Sequence, residues 1–452
     1  MIGSPLEGGV LPRWRKVERL EYATPRRHSG TPGYKVGGGR GVHHFTSMGG
    51  EDDHRVAIVI AIVWVQGVIA PLVLAALGMS FSLPTPTLSL LGFVGLVGYS
   101  LRPVLVNLRP GDYFFALCVV FAFGSSALMH PGTQGVLADL SPVFFAAVFP
   151  MYFLGRAIRN AFLVLRYAYF ASILAVGVNV AYTAYYLSSG RALLSDNMDA
   201  AYRLLPSVLM IMFVAMREGG LARWAICLLS VTLLLAQGTR GPLLCVGALG
   251  VLYLFCFAKR SSRVLVVPAF GIVGSLIVLL GVSLDGFAQW LDGIGLSGRA
   301  MAMFGDNELG GANNRDVIYS QVWVGIDREP LWGNGIGGDR LLAQGADYAS
   351  GTYAHNLVLE VLAQFGYLFG GTLLLSFVYV ILRTLVRSGG PHRAFVMVCV
   401  AICFKLLMSG SYLEEPFFFL LLGCCVGGER PSPYVNSSTI RSSALSLKGT
   451  DW

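Results

Sequence analysis

The sequence predicts an all-α, polytopic membrane protein with about twelve transmembrane helices. Of its 452 residues, 55% are hydrophobic and 13% are charged, and the mean hydropathy is +0.64. Soluble domains carry a much larger share of charge, about 25%. The apolar residues come in runs of about 20 residues, the length that a bilayer requires, without strand-like alternation. Helices are therefore the expected spanning elements, since each pairs its backbone groups within its own segment.

Short polar breaks separate the apolar runs and define the predicted spans. These cover residues 56–79, 86–101, 112–130, 141–158, 162–187, 202–217, 221–238, 241–258, 264–284, 355–382, 394–410 and 416–428. The resulting domains are a tail (1–55), nine spans (56–284), a long polar loop (285–354), three spans (355–428) and a second tail (429–452). The first tail is glycine-rich and lacks the apolar core of a signal peptide, so it is predicted to be cytosolic and disordered. Met48, just before the first span, leaves a second translation start open.

The basic residues orient these spans. If the first tail is cytosolic, 25 of the 33 Lys and Arg residues fall on the cytosolic side, and every connection on that side is basic. This distribution follows the positive-inside rule. It predicts that both termini are cytosolic and that the loop 285–354, which is rich in acidic residues, lies outside. The net charge of +8 therefore indicates membrane orientation and not a nucleic-acid partner.

The first candidate site residue is Arg240, in the hairpin Gly238–Pro242 between the seventh and eighth spans. Thr239 can cap the eighth helix, and Pro242 suits its first turn. Arg240 then stands beside the free N–H groups of a helix N-terminus, where anions are favoured. An anionic ligand is one interpretation, and an arginine that reaches a lipid headgroup phosphate is the other.

The second candidate is Arg315, which follows Asn313 and Asn314 in the long loop. An asparagine cap followed by apolar residues at helical spacing predicts a short amphipathic helix on the membrane surface, with Arg315 in its first turn. The apolar residues are Tyr319, Val322, Trp323 and Ile326. A glycine-rich turn, 330–338, follows the helix. Its backbone could approach a ligand closely or could simply be a flexible connector.

The third candidate is His355, followed by Asn356 at the start of the tenth span. A helix N-terminus lowers the pKa of a histidine, so the imidazole would be neutral and able to accept a proton. A merely interfacial histidine is the alternative. Together with Arg240 and Arg315 on the same side of the membrane, a neutral base fits group transfer from a diphosphate leaving group.

Several motifs follow one another between residues 238 and 366. They are Gly238-Thr239-Arg240-Gly241, Asn314-Arg315, Trp323, Pro330-Leu331-Trp332-Gly333-Asn334-Gly335-Ile336-Gly337, His355-Asn356-Leu357 and Phe365-Gly366. In order, spacing and side of the membrane, the chain resembles the O-antigen ligase and Wzy-type polymerase superfamily of bacterial inner membranes over roughly residues 230–370. Elsewhere the resemblance is limited to the number and hydropathy of the spans.

The resemblance implies a metal-independent, inverting, GT-C-like membrane glycosyltransferase that needs no cofactor. Its donor would be a polysaccharide on undecaprenyl pyrophosphate, its acceptor a hydroxyl of lipid A core or of another glycan, and its site would face the periplasm among membrane lipids. Arg240 and Arg315 would bind the pyrophosphate, and His355 would position or deprotonate the acceptor. Asn356 and Glu414 are supporting candidates, and Glu414 and its neighbour Glu415 could orient the histidine.

The residues leave other functions open. A repeat-unit polymerase of the Wzy type differs from a ligase only in its acceptor. Twelve spans with both ends inside also fit a transporter or a flippase of lipid-linked sugars, although the two halves show no clear repeat. A scaffold subunit of a polysaccharide assembly complex is a third class. Within the spans, Glu360 and Lys405 are predicted to pair with each other, with a lysine that reaches outward as the alternative.

Overall fold

The computed structural model describes residues 50–76, 95–188, 198–236, 240–257, 315–344 and 353–427. Within these ranges every regular element is a helix, which confirms the all-α class. The α-helices with described bounds are α1 (Glu51–Ala76), α2 (Leu101–Asn107), α3 (Pro110–Met129), α4 (Gln134–Val143), α5 (Pro150–Ala157), α6 (Ala161–Ser188), α7 (Met198–Glu218), α8 (Leu221–Ala236), α9 (Arg240–Cys256), α10 (Arg315–Arg328), α11 (Gly338–Gln344), α12 (Leu357–Phe365), α13 (Gly371–Arg387), α14 (Gly390–Cys403) and α15 (Pro416–Gly427).

Seven helical segments in these ranges are long and apolar enough to cross a membrane. They are Glu51–Ala70, Pro110–Met129, Pro131–Ala157, Ala161–Tyr185, Ala200–Glu218, Leu357–Arg387 and Gly390–Leu407, and shorter apolar helices cover Leu221–Leu234, Gly241–Cys256 and Pro416–Gly427. Each of these segments overlaps a predicted span, although Pro131–Ala157 begins ten residues before the predicted span 141–158. The predicted span 264–284, most of 86–101 and nearly all of both tails lie outside the described residues. The total of about twelve spans and their orientation therefore stay predictions.

The span predicted at 355–382 consists of two helices instead of one. Gly366 adopts a φ of +70°, a conformation that favours glycine and ends α12. A turn of π-helix, Gly366–Gly370, then leads into α13. Because the regular hydrogen-bond pattern is interrupted here, the last carbonyl groups of α12 are free to bind another segment.

The central helix of the bundle is α7, which packs against α1, α6, α8, α9 and α14. Its fully buried side chains include Leu204, Leu205, Val208, Leu209 and Ala215. Such close packing matters because lipid is as apolar as these side chains and provides no hydrophobic drive between helices. Since α9 and α14 also contact each other, the bundle brings the segments that carry Arg240 and Lys405 together.

Two further helices, α5 and α15, approach each other backbone to backbone. A Cβ added to Gly423 would collide with the carbonyl oxygen of Tyr152, and one added to Gly155 would collide with that of Leu420. Small residues permit this approach between membrane helices. The contact fixes the position of α15, and the segment before α15 reaches the candidate site.

A buried ion pair ties α3 to α5 beside that contact. The guanidinium of Arg156 donates two hydrogen bonds to the carboxylate of Asp112, at 2.7 and 3.0 Å. The Tyr152 hydroxyl donates a third, at 2.9 Å. Arg156 and Asp112 are almost fully buried, with 3% and 1% of their surface exposed, respectively. A charge in this environment is stable only when it is paired and hydrogen-bonded in this way.

The helix predicted after Asn314 is present as α10, but its surroundings differ from the prediction. Its apolar residues Ile318, Val322 and Ile326 are buried, and they pack with residues of α11 and α12. Two of the four predicted apolar residues, Val322 and Ile326, therefore face the protein. Of the other two, Tyr319 is half-buried against the same cluster, and Trp323 is 42% exposed. The sequence pattern identified the helix correctly, but an apolar stripe does not specify whether lipid or protein covers it.

Candidate active site

His355 lies just before α12 in a left-handed backbone conformation, with a φ of +51°. For a residue with a Cβ this conformation costs roughly 1–3 kcal/mol, so it persists only where neighbouring contacts hold it. One such contact is the ring of Tyr353, whose centroid lies 3.9 Å from that of the imidazole. In the described part of the chain, the buried Nδ1 of His355 has no hydrogen-bond partner. Ring contact, and not a bond to Nδ1, therefore orients the imidazole.

Asn356 fixes the start of α12. Its side-chain oxygen accepts hydrogen bonds from the backbone N–H groups of Val358 and Leu359, at 2.9 and 3.3 Å. Its amide nitrogen donates to the carbonyl oxygen of Leu407 at 3.1 Å. These bonds tie α12 to the turn of 3-10 helix Phe404–Leu407 that follows α14. As a supporting residue, Asn356 would act by setting where the preceding histidine stands.

Arg315, the first residue of α10, reaches the same turn. Its Nη1 donates a hydrogen bond to the carbonyl oxygen of Met408 at 3.1 Å. Met408 directly follows Leu407, the residue that Asn356 binds. Arg315 and the segment around His355 are therefore anchored on neighbouring carbonyl groups at one end of the bundle.

The imidazole of His355 is neutral at physiological pH. Its pKa is lowered from the usual 6.5 to about 4, first by burial and then by the positive charges of Arg315 and Arg340, while Glu414 acts in the opposite direction. A histidine in this state can accept a proton. The sequence predicted a neutral imidazole from its place at a helix N-terminus, and the structure gives a different cause, which is burial beside two arginines.

Arg240 is the first residue of α9, which is the place predicted for it. Its side chain, like the whole of Thr239, lies outside the part of the chain that the structure describes. The adjacent backbone is tightly placed, because a Cβ on Gly241 would collide with the hydroxyl of Tyr202. The ring of Tyr202 lies 5.8 Å from the Nζ of Lys405, which belongs to the turn after α14. The start of α9 is thus near the turn Phe404–Leu407, which Asn356 binds, and contact of the Arg240 side chain with the other site residues stays a prediction.

Arg340, in the first turn of α11, belongs to the site although it was not predicted. It is 9% exposed, and its Nη2 donates a hydrogen bond to Oε1 of Glu414 at 2.6 Å. Its guanidinium carbon lies 5.3 Å from the ring centroid of Tyr353. The sequence does not single it out, because Arg340 is one of four arginines in the loop 285–354.

A buried polar network of Asp339, Gln364 and Tyr412 lies beside Arg340, which directly follows Asp339 in the chain. The carboxylate of Asp339 accepts hydrogen bonds from Nε2 of Gln364 at 2.8 Å and from the backbone N–H of Ala354 at 3.4 Å. The side-chain oxygen of Gln364 accepts a further bond from the Tyr412 hydroxyl at 2.6 Å. Burial raises the pKa of Asp339. The network joins α11, which carries Arg340, α12, which begins just after His355, and the segment before α15, which carries Glu414.

The predicted pair of Glu360 and Lys405 is wrong, because each residue has another partner. The Glu360 carboxylate accepts hydrogen bonds from the hydroxyl of Ser411 and from the backbone N–H of Tyr412. Lys405 forms an ion pair with Glu415 at 2.5 Å. Glu415, in the connection between α14 and α15, therefore forms the ion pair with Lys405. Ser411 and Tyr412, in the same connection, donate the hydrogen bonds to Glu360.

Neither of the two acids expected to orient His355 makes a hydrogen bond to it in the described part of the chain. Glu414 binds Arg340, at 2.6 Å. Glu415 is occupied by Lys405. The carboxylate of Glu414 therefore affects the histidine through its own field and through Arg340.

The glycine-rich turn 330–338 is hydrogen-bonded to the C-terminal end of α12. The backbone N–H groups of Asn334 and Gly335 donate to the last carbonyl oxygens of α12, at 2.8 and 3.1 Å. Gly333 has a φ of +72°, and a Cβ there would come 2.5 Å from the carbonyl oxygen of Gln364. The glycines thus permit close approach to the protein's own backbone. Because these two N–H groups are already paired, they are not available to a phosphate, and the turn is held to α12 instead of forming a loose connector.

Comparison with known proteins concerns the segment that carries most of these residues. Residues 225–375 match the family model Wzy_C, described as O-antigen ligase. The matched segment includes Arg240, Arg315, Arg340 and His355, and it ends before Glu414. No curated protein matches the chain significantly. The chain therefore carries, at residues 225–375, a domain of the O-antigen ligase and Wzy-type polymerase superfamily.

Proposed function

We propose that this chain is a membrane glycosyltransferase of the O-antigen ligase type, which transfers a polysaccharide from undecaprenyl pyrophosphate to an acceptor hydroxyl. The observation that carries the proposal is the state of His355, a neutral imidazole beside Arg315 and Arg340, inside the segment that matches O-antigen ligases. A neutral base next to fixed cations is the combination that transfer from an anionic leaving group requires.

In the proposed reaction, the acceptor oxygen attacks the anomeric carbon of the donor sugar from the side opposite the pyrophosphate. A glycosidic C–O bond forms, and the bond between the anomeric carbon and the pyrophosphate oxygen breaks with its electron pair going to that oxygen. The hydroxyl proton passes to the imidazole of His355. The products are the glycosylated acceptor, with inverted anomeric configuration, and undecaprenyl pyrophosphate.

The two arginines of the proposal would offset the charge of the leaving group. Arg315 uses one hydrogen bond on Met408, and its other N–H groups can bind phosphate oxygens. It stands at the start of α10, where the helix end itself favours an anion. Arg240 has the same relation to α9. With two guanidinium groups on the pyrophosphate, the reaction would proceed without a metal ion.

A reconstituted assay tests the proposal. The purified protein is placed in vesicles with a glycan linked to undecaprenyl pyrophosphate, with and without a lipid A core acceptor. Wild-type protein should glycosylate the lipid A core, and His355→Ala, recovered in equal amount, should not. Longer lipid-linked chains in the absence of lipid A core would assign the Wzy-type polymerase instead. Movement of the donor across the bilayer without a new bond would indicate a flippase, and no change in the donor would contradict both enzymes and favour a scaffold.

The proposed substrates place the protein in the bacterial inner membrane, with the site facing the periplasm. Support comes from the basic connections that the sequence assigns to the cytosolic side. Arg315 belongs to the loop that this assignment predicts to lie outside, and the start of α9 and His355 lie at the predicted outer ends of their spans. Donor and acceptor would thus meet the site from the outer leaflet of that membrane.

A further inference from the structure

Two neighbouring residues of α11 hold the segment that leads into His355. Asp339 accepts a hydrogen bond from the backbone N–H of Ala354 at 3.4 Å. Arg340 places its guanidinium carbon 5.3 Å from the ring centroid of Tyr353. Tyr353 and Ala354 are the two residues before His355, so the first turn of α11 contacts both residues that lead into the histidine.

Contacts link Arg340 to His355 through one aromatic ring. The ring of Tyr353 lies 5.3 Å from the guanidinium carbon and 3.9 Å from the imidazole centroid. At its other end, the guanidinium is anchored by Glu414 at 2.6 Å. A planar guanidinium that is held by a carboxylate at one edge can support an aromatic ring with its face.

His355 depends on this support more than an ordinary histidine does. Its φ of +51° is unfavourable for a residue with a Cβ. No hydrogen bond to its Nδ1 fixes the ring in the described part of the chain. The orientation of the imidazole is therefore set by the segment before it and by the ring of Tyr353.

We propose that Arg340 is a positioning residue for His355, which orients the imidazole through Tyr353 and disfavours its protonation until the acceptor proton arrives. The inference rests on the proposed function, in which His355 is the base. It gives Arg340 a role that differs from the pyrophosphate contacts of Arg240 and Arg315.

The charges around His355 fit this role. Arg315 of α10 and Arg340 of α11 disfavour the imidazolium, whereas Glu414, before α15, favours it. Tyr353 contacts the ring without charge. Replacing Arg340 removes a cation and also releases the carboxylate of Glu414, and both changes favour protonation of His355. Replacing Glu414 has the opposite electrostatic effect on His355.

Variants of Arg340 separate the two parts of the role. Arg340→Gln removes the charge, and Arg340→Lys keeps the charge but loses the planar face. Arg328→Gln, an exposed arginine at the end of α10, is the matched control. In the vesicle assay, Arg340→Gln should lower kcat about tenfold or more and move the acidic limb of kcat/KM upward by about one pH unit. Arg340→Lys should lower kcat with the limb unmoved, and both should keep the donor KM.

A second readout does not depend on turnover. Diethyl pyrocarbonate acylates only the neutral imidazole, so the pH midpoint of modification at His355, followed by mass spectrometry, reports its protonation in purified protein. The midpoint should rise in Arg340→Gln and stay unchanged in Arg340→Lys and Arg328→Gln. The midpoint should fall in Glu414→Gln, which removes a carboxylate that favours the imidazolium. Because the Glu414 side chain is 44% exposed, this variant can be used for the test if Arg340→Gln does not accumulate.

Clear outcomes would overturn the inference. An unchanged midpoint in Arg340→Gln or Glu414→Gln, in protein that elutes as one species, rules out the electrostatic role. Unchanged kcat in both Arg340 variants rules out the positioning role. If the midpoints shift as expected while the wild-type protein transfers no glycan, the proposed function fails and the electrostatic coupling of Arg340 to His355 stands.

Discussion

The guanidinium of Arg315 donates a hydrogen bond to the carbonyl oxygen of Met408, at 3.1 Å, and joins the first residue of α10 to the turn after α14. One residue earlier in that turn, the carbonyl oxygen of Leu407 accepts a bond from Asn356. Two adjacent carbonyl groups thus anchor an arginine from the long polar loop and the helix cap beside His355. The loop residues that the structure describes are packed into the bundle and carry part of its site.

Arg315→Ala should lower glycan transfer about 100-fold or more, because the leaving group loses a fixed cation. Arg315→Lys should recover only part of the loss, since lysine keeps the charge but cannot bind phosphate with two parallel bonds. The same loss is expected for Arg240→Ala. Transfer is measured in vesicles that contain equal amounts of protein, with Arg328→Ala as the control from the exposed end of α10. Near-normal transfer by either alanine variant would remove that arginine from the pyrophosphate site.

The pH dependence of transfer should show a base that stays neutral far into the acid range. Since the pKa of His355 is about 4, kcat/KM should be insensitive to this group near neutral pH and should fall only as the pH drops through that value. His355→Gln should lower kcat by about 10²- to 10⁴-fold and keep donor binding. The measurement is the pH profile of transfer, together with binding of the lipid-linked donor to the variant. An acidic limb near the usual 6.5 would mean that His355 is not the base or is not buried as described.

Much of the fold follows from local sequence, because hydropathy over one span is a property of that span alone. The predicted spans that became α3, α6 and α7 agree with the structure to within a few residues. The break between α12 and α13 was not predictable in the same way. It depends on Gly366 and on the docking of the glycine-rich turn, which is more than twenty residues earlier in the chain.

The site shows the same division between local and long-range information. Arg315 and His355 were identified because each stands at the start of a predicted helix. Arg340 was missed because its partner, Glu414, lies 74 residues further along the chain. The adjacent residues Glu414 and Glu415 form ion pairs with different partners, Arg340 and Lys405. The sequence alone does not tell which of the two acids pairs with which cation.

Single cysteines should report the predicted orientation of the chain. A cysteine at Leu331, which is 56% exposed, should react with a membrane-impermeant thiol reagent in intact cells. A cysteine at Leu221, which is 88% exposed at the start of α8, should react only after the inner membrane is opened. Labelling is compared with that of the unsubstituted protein, which has eight cysteines of its own. The reverse pattern would invert the predicted topology and place the site in the cytosol.

Asp112→Asn should destabilise the protein by about 3–5 kcal/mol, because the guanidinium of Arg156 would remain buried without its counter-charge. The matched control is Glu218→Gln, which removes the partner of Arg223 from a pair whose side chains are 50% and 35% exposed. Loss of that pair should cost about 0–1 kcal/mol. Thermal midpoints in detergent, and the fraction of protein that elutes as one species, measure the difference. Equal behaviour of the two variants would show that the buried pair contributes no more than an exposed one.

Gly423→Ala should separate α15 from α5, because the added Cβ would collide with the carbonyl oxygen of Tyr152. Backbone cannot yield as a flexible side chain does, so we expect a loss of stability of about 1–3 kcal/mol. The matched control is Gly371→Ala at the start of α13, where an added Cβ meets nothing within 4 Å. There, alanine should be neutral or stabilising, since it favours a helix more than glycine does. Because α15 holds the segment that carries Glu414, Gly423→Ala should also lower glycan transfer per folded molecule. If the thermal midpoint and the transfer rate were both unchanged, α5 and α15 would not pack as closely as described.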